Sequence, residues 1–308
     1  MNMVPREGLV SVITPFYNAE RFLEDSILSV LGQSFDHWEL LLVDDGSTDG
    51  GTEIAREYAA RHPGRIRYVE HPAHRNMGAC ASRNVGIRHS QGEFVALLDA
   101  DDVWLPNKLQ DQVALLEANP TAGLVYGRSE YWYDWNGSVQ PTLANHVPPL
   151  APGGVLYSPP ALLKLTYPLG RAGAPCPSDF LLHRGTLELV GGFEESFGAE
   201  KQVFEDQAFL AKVYLNVPVF VSDCCWDRYR IHDMSCCAVA ERDGNKESAR
   251  RFYFDWLRQY LMQHNVLDPE IWKAIERQMW QYRHPHLFEA QKRIRRAARL
   301  VLGSGHLH

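Results

Sequence analysis

Two stretches of this chain, Trp38–Val43 and Phe94–Leu98, are apolar at nearly every position and then run directly into aspartates. A strand that is apolar on both faces must be covered on both faces, which is the situation of a parallel sheet with helices above and below. Two further apolar runs fit the same sheet, Leu9–Ile13 and Ile66–Val69. The first is read as ending at Pro15 and the turn-prone Asn18. Helical patterns fill the gaps. The first runs from Glu20 to about Gln33, with Phe22, Leu23, Ile27, Val30 and Leu31 on one side, and the second runs to about His62. Others span Gly78 to about Ser90 and Pro106 to about Asn119, the last opening on a proline and stopping before Pro120.

Strand and helix in alternation with short joints predict right-handed crossovers and an α/β fold with a mostly parallel central sheet. In such sheets ligands bind beyond the carboxyl ends of the strands. Three polar loops fall there: Thr14–Asn18, Asp44–Asp49 and Asp99–Asp102. Side chains i and i+2 of a strand share a side, so Asp99 and Asp101 are expected to converge just past its end. Paired carboxylates suit a hard cation, Mg²⁺ or Mn²⁺. Aspartates that merely solvate a loop or cap the next helix are the competing reading, and for Asp102 helix capping is preferred. Neither G-x-G-x-x-G nor G-x-x-x-x-G-K-[ST] occurs, so phosphate must be neutralised by something other than a glycine loop.

Past Gly123 the pattern changes. Leu124–Tyr126 reads as a strand continuing to Trp135, with a hairpin turn at Asn136-Gly137. Residues Val147–Pro177 form a Pro- and Gly-rich connection. Ser178–His183 and Val217–Ser222 read as strands, with helices near Gly185–Val190 and Glu205–Leu215. Three helices end the chain: about Lys246–Gln263, Pro269–Arg283 and Pro285–Leu302.

The net charge of -7 supplies no basic field for a polyanion, so no nucleic-acid partner is expected. Residues 1–10 hold no apolar signal core, and no run is long enough to span a bilayer; a cytoplasmic protein is expected. The six cysteines include no C-x-x-C and read as reduced structural thiols, with a Cys224–Cys237 disulfide as the alternative in an oxidising compartment. The sequence leaves the oligomeric state open.

Several segments occur in a telling order: Ser11–Asn18, Val43–Asp49, Asn76-Met77-Gly78 with Ser82–Ile87, Leu98–Asp102, Gly191-Gly192-Phe193, Glu205-Asp206 and Tyr229–Ser235. In order and spacing the set closely resembles the family-two inverting glycosyltransferases of GT-A type, with Asp99–Asp101 as the DxD motif. The resemblance covers residue 9 to about 237. It implies a GT-A, Rossmann-like domain over 1–240, with a nucleotide-binding half 1–120 and an acceptor half 121–240. A helical extension, 241–308, follows.

The implied activity is metal-dependent, inverting transfer from a nucleoside diphosphate sugar, UDP- or dTDP-linked, to a saccharide or lipid-linked saccharide acceptor. By the same resemblance Asp101 would hold Mn²⁺ or Mg²⁺ directly, and Asp99 would bind ribose or the metal through water. Pro15 and Asn18 would line the base pocket, and Asp45 would accept from the base N3–H. For Asp44, ribose contact and turn stabilisation are both open. Arg83 lies in a region that faces the nucleotide in the family, with a surface salt bridge as the alternative. His232 would approach the diphosphate or the metal. Asp206 takes the catalytic base position, and could at the same time favour the helix dipole; Glu205 would orient rather than react.

Tyr131, Trp132, Tyr133 and Trp135 are candidates for stacking on an acceptor sugar, or for core packing. The basic helix His286–Leu302 could rest on an anionic membrane surface, against a solvated, core-packed helix as the blander reading. Two rival readings stand beside the transferase: a nucleotidyltransferase, although the loop Thr14–Asn18 has no lysine or arginine, and a non-catalytic sugar-nucleotide-binding module.

Overall fold

The computed structural model describes residues 5–137 and 143–288. The chain divides into two compact units, residues 1–250 and 251–308.

The first unit opens with β1 (Arg6–Phe16), α1 (Leu23–Leu31), β2 (Trp38–Asp44), α2 (Gly51–Arg61), β3 (Ile66–Glu70), α3 (Ala79–His89) and β4 (Gly92–Leu97). Their sheet order is β3-β2-β1-β4, and every pairing is parallel. Every residue of β2 is buried, as its two-sided apolar sequence demands. One face packs Val10, Val12, Leu40 and Leu42 against Leu23, Ile27, Val30 and Ala55 of α1 and α2. On the other face α3 comes so close that a Cβ on Gly86 would collide with Ile13. Glycine is required there for backbone proximity. Register aligns Phe16, Asp44 and Glu70 at one level, so the loops after β1, β2 and β3 leave the sheet together.

Pro15 does not end β1. It pairs with Val43 inside the strand, and the chain leaves the sheet only after Phe16.

The second half adds β5 (Val103–Trp104), α4 (Lys108–Ala118), β6 (Leu124–Trp132), β7 (Val155–Tyr157), α5 (Ala161–Leu165), β8 (Leu181–His183), α6 (Arg184–Val190), α7 (Glu205–Asn216), β9 (Val219–Arg230) and α8 (Cys236–Arg242). The sheet continues from β4 as β8-β6-β9-β5, with β7 also on β9. Strand β8 runs antiparallel to both β4 and β6, whereas β6 and β9 are parallel from Leu124↔Val219 to Trp132↔Arg230. The expected strand Val217–Ser222 is therefore only the first part of β9. Its continuation carries Asp227 and Arg228, whose charges disguise a strand that buries Trp226 and Asp227. Trp104 lies in the short strand β5, and α4 starts at Lys108 behind Asn107, two residues after the expected Pro106. A 3-10 turn at Pro177–Asp179 replaces the first half of the strand expected over Ser178–His183.

Helix α9 (Lys246–Gln263) enters the second unit, which also holds α10 (Pro269–Arg283). Within that unit Phe254, Leu257, Leu261, Ile271, Ile275 and Met279 are buried. The Asp268 carboxylate accepts from the Glu270 and Ile271 amides at 2.8 and 3.3 Å, capping α10. The basic helix expected over His286–Leu302 lies outside the described residues from 289 onward.

Candidate active site

The loops after β1 and β2 are tied into one corner. Asn18 adopts φ +49, its Oδ1 accepts from the Thr48 amide at 2.7 Å, and its own amide donates to Ser47 Oγ at 3.1 Å. Asp44 is fully buried, with Oδ1 accepting from the Ser47 amide and Oδ2 from the Thr52 and Tyr68 hydroxyls, at 2.8, 2.5 and 3.1 Å. Of its two readings, the geometry is that of turn stabilisation. Asp45 is 4% exposed and accepts from the amides of Met77 and Gly78 at 2.7 and 3.0 Å. Burial pushes its carboxyl above the usual range. Gly46, at φ +80, lets this turn approach the backbone of residues 74–76 where a Cβ would clash. Pro15 is a buried strand residue beside the same corner.

A second corner forms where β4 runs out. Leu98 keeps one more sheet bond, its amide donating to Ile13 O at 3.0 Å, before the three aspartates. Their carboxylates part company. Asp99 Oδ1 accepts from Arg83 Nη2 at 2.6 Å. Asp101 Oδ2 lies 2.9 Å from His232 Nε2, so residues 131 positions apart in the chain meet. The His232 ring rests on Phe22, centroids 4.6 Å apart, and its Nδ1 is buried without a hydrogen-bond partner.

Asp102 does not cap a helix. It is fully buried, and Oδ2 accepts from Ser178 Oγ at 2.5 Å while Oδ1 accepts from the Arg230 amide at 3.0 Å. Burial, then the charges of Asp101 and Asp99, push its carboxyl well above the usual range. It is a stitch between the acidic loop and the end of β9.

Among the described residues no three His, Cys, Asp or Glu side chains form a cluster ready for a metal ion. The donors present still fit a hard cation that takes the rest of its shell from water and phosphate. Asp99 and Asp101 keep 24% and 31% of their side chains exposed, and an imidazole stands against the second.

The third corner is the start of α7. Asp206 is half-buried, its Oδ1 accepts from the Gln207 amide at 2.8 Å, and among the described residues no cation forms an ion pair with it. Burial, with the Glu205 charge next, pushes its carboxyl up to about 8. Glu205 is buried, receiving Arg83 Nη1 on Oε1 and the Cys80 thiol on Oε2, the latter at 3.2 Å.

Arg83 therefore joins the second and third corners, one nitrogen on Asp99 and another on Glu205. It is 3% exposed, which removes the surface-salt-bridge reading. Its guanidinium lies 5.2 Å from the Phe193 ring centroid. Asn84, the next residue, fixes Phe193 by accepting from its amide and donating to its carbonyl, at 2.8 and 3.0 Å. The Gly191-Gly192-Phe193 segment thus acts as the floor beneath the arginine.

Arg230 and Ser178 were not among the expected site residues. Arg230 donates through Nε to Asp101 O at 2.7 Å and through Nη2 to Asp25 at 2.9 Å. The rings of Phe22, Trp132 and Trp135 surround its guanidinium at 5.1, 4.7 and 5.1 Å. The aromatic run is consequently split. Trp132 and Trp135 hold Arg230, whereas Tyr131 lies against Tyr229 and His146 at 5.2 and 5.5 Å, and Tyr133 stacks on His146 at 5.9 Å. Tyr131 also feels the charge of Asp206, which adds to burial in raising its hydroxyl. The Tyr229-Arg230 pair next to His232 was the sequence signal for Arg230; a lone serine gave none.

Comparison with known proteins adds an independent line. Residues 11–169 match the model of the family "Glycosyl transferase family 2". A putative glycosyltransferase of Bacillus subtilis, EpsE, is 44% identical over 117 residues, 38% of this chain and 40% of that protein. An Escherichia coli enzyme, the UDP-Glc:alpha-D-GlcNAc-diphosphoundecaprenol beta-1,3-glucosyltransferase WfgD, is 38% identical over 122 residues, 40% of this chain and 46% of its own. These matches span under half the length of either relative. Among solved structures, the mannosyltransferase PcManGT from Pyrobaculum calidifontis, in complex with GDP-Man and Mn²⁺, superposes with a TM-score of 0.56 over 98% of this chain and 83% of its own. At 19% identity that likeness shows the shared fold.

Proposed function

From the premise that this chain belongs to glycosyl transferase family 2 and has the GT-A fold, we propose that it transfers a sugar, with inversion, from a nucleoside diphosphate sugar to an acceptor hydroxyl. The observation that carries this reading is Arg83. One buried cation ties the carboxylate of the diphosphate corner, Asp99, to the helix that presents Asp206.

Each corner then has a task. Asp45, held by the Met77 and Gly78 amides, faces the base corner with Asn18 and Pro15, and a uracil or thymine N3–H is the donor it suits. The UDP-Glc in the name of WfgD agrees with a uridine donor. Asp101 with His232, and Asp99 directly or through water, would hold Mn²⁺ or Mg²⁺. That ion would supply Lewis-acid neutralisation of the departing diphosphate.

Asp206 is the proposed base. Its carboxylate takes the acceptor hydroxyl proton as the oxygen attacks the anomeric carbon from the face opposite the leaving group. A site in which burial raises this carboxyl and a cation clamps its neighbour is the environment that separates acid and base roles. Glu205, saturated by Arg83 and Cys80, orients and does not react.

The acceptor is proposed to be a saccharide or lipid-linked saccharide, met by the Tyr131, Tyr133 and Tyr229 side of β6 and β9. Residues 1–240 would carry the catalytic machinery and 241–308 a helical extension. Among the described residues no helix is long and apolar enough to cross a membrane.

A thermal-shift panel of UDP-, dTDP- and GDP-sugars with and without Mn²⁺ tests the reading. A donor at about 100 times its Kd should stabilise the fold by about 2.7 kcal/mol. Metal-dependent stabilisation by a uridine or thymidine donor is the expected result. A panel with no response to any nucleotide sugar would overturn it.

A further inference from the structure

Arg21 has no part in the mechanism above. It follows β1 in the loop at the carboxyl edge of the sheet and is exposed. Its guanidinium lies 4.6 Å from the Trp135 ring centroid and 5.5 Å from that of Phe22. Arg230 rests on the same two rings, 5.1 Å from each, and is neutralised by Asp25 at 2.9 Å. Arg21 is not: among the described residues no carboxylate forms an ion pair with it. The acids on either side of it in sequence are engaged elsewhere, Glu20 by the Gly50 amide at 3.0 Å and Glu24 by the Tyr58 hydroxyl at 2.8 Å. What remains is a fork of donors, ordered by two rings and open to solvent, on the Phe22 ring that also carries His232.

Trp132, which closes the cage around Arg230, is also a wall of a cleft of about 370 Å³. Trp104 and Pro106 form the rest of one side, and Asp25, Leu28 and Gly32 of α1 form the other. Positions 21, 25, 28 and 32 recur at helical spacing, so Arg21 extends the α1 wall toward the carboxyl edge of the sheet. The charge of Asp25 is matched by Arg230, and Leu28 is 49% exposed in this otherwise apolar lining.

An unneutralised cation at the head of an apolar cleft is the complement of an amphiphile with a phosphate head and a hydrocarbon tail. We infer that Arg21 and this cleft form a binding site for a lipid diphosphate, with the phosphate on the guanidinium and the start of the chain against Leu28, Trp104 and Trp132. That this lipid is the carrier of the acceptor sugar rests on the transferase reading above. In that reading the donor diphosphate is met at Asp101 and His232, so a second diphosphate in the same site needs a cation of its own. The diphosphoundecaprenol in the name of WfgD is an acceptor carrier of this chemistry.

The test titrates geranyl diphosphate by calorimetry into the full-length protein preloaded with Mn²⁺ and UDP. The same titration into Mn²⁺–UDP buffer is subtracted to remove chelation. The probe should bind without displacing UDP, and at least about tenfold more tightly than inorganic pyrophosphate, because the chain adds apolar contact. Arg21→Gln and Leu28→Asp should each weaken it by at least about tenfold, with UDP affinity retained. The first removes charge-assisted bonds, and the second sets a carboxylate in the apolar wall. No binding to the loaded protein, displacement of UDP, equal affinity for pyrophosphate, or an unchanged affinity in either variant would each overturn the site. Protein that binds no UDP would instead count against the transferase reading, and titration of the unloaded protein and its variants would still decide the lipid site.

Discussion

Asp99 and Asp206 lie at opposite ends of one connection through Arg83 and Glu205, and they are in opposite electrostatic situations. Asp99 bonds the guanidinium directly, and its neighbour Asp101 has an imidazole at 2.9 Å. Asp206 has no ion-pair partner among the described residues, sits beside the Glu205 carboxylate, and is pushed up to about 8. A carboxylate held against positive partners is suited to remain charged and bind; one half-buried beside a like charge is suited to take a proton. One arginine bears on both: it bonds Asp99 and Glu205 directly and reaches Asp206 only as a more distant charge that lowers its carboxyl.

The most severe way to break this contrast is Asp206→Asn. Turnover should fall by about 10²–10⁴-fold, with UDP affinity by calorimetry unchanged; retained turnover would mean that the proton goes elsewhere. Arg83→Met should follow, because it strands Asp99 and Glu205 without their shared partner. About 3–5 kcal/mol of stability should be lost, visible as a large drop in melting temperature. A variant that melts like the parent would show the clamp to be dispensable.

Asp101→Ala sharpens the other side. It should weaken Mn²⁺-dependent UDP binding by about 10–100-fold, the range of metal-site perturbations, and leave metal-free binding alone. Equal loss with and without metal would refute its assignment.

The smallest effect concerns pH. If Asp206 is the base, as proposed, it must be unprotonated, so kcat/KM should climb toward about 8, by up to tenfold per unit well below it. Its stability linkage has the opposite sign. With the folded pKa above the ordinary value, the protonated fold is favoured, and stability is lost as pH rises toward about 8. Asp206→Asn should therefore melt slightly higher than the parent at pH 9, with little difference at pH 4. A flat profile in both assays would remove the contrast altogether.

Much of the first corner was legible because its signals are local. Strands buried on both faces advertise themselves, and Asp44–Thr48 carries its turn in its own composition. The acidic loop was legible as a site, but its internal division was not. Period-two reasoning puts Asp99 and Asp101 together; what separates them is Arg83 on one side and His232 on the other. Asp102 misled for the same reason, since its partners Ser178 and Arg230 are 76 and 128 residues away and no spacing rule reaches that far. Strand β9 was cut short because burial of Arg230 depends on aromatic and backbone partners from β6 and from the loops after β1 and β4. Long-range satisfaction of polar groups is invisible to periodicity.

The Asp102 stitch has a consequence for the order of events on the ribosome. Residues 6–97 carry the parallel strands β1 to β4 and emerge early, while the segment that secures the acidic loop after them arrives more than a hundred residues later. Until residues 230–232 are delivered, Asp101 lacks the His232 imidazole and Asp102 the Arg230 amide. A chain ended before residue 230 would carry the parallel strands but leave the acidic loop unsecured, so that loop takes its final form only after β9 has been made.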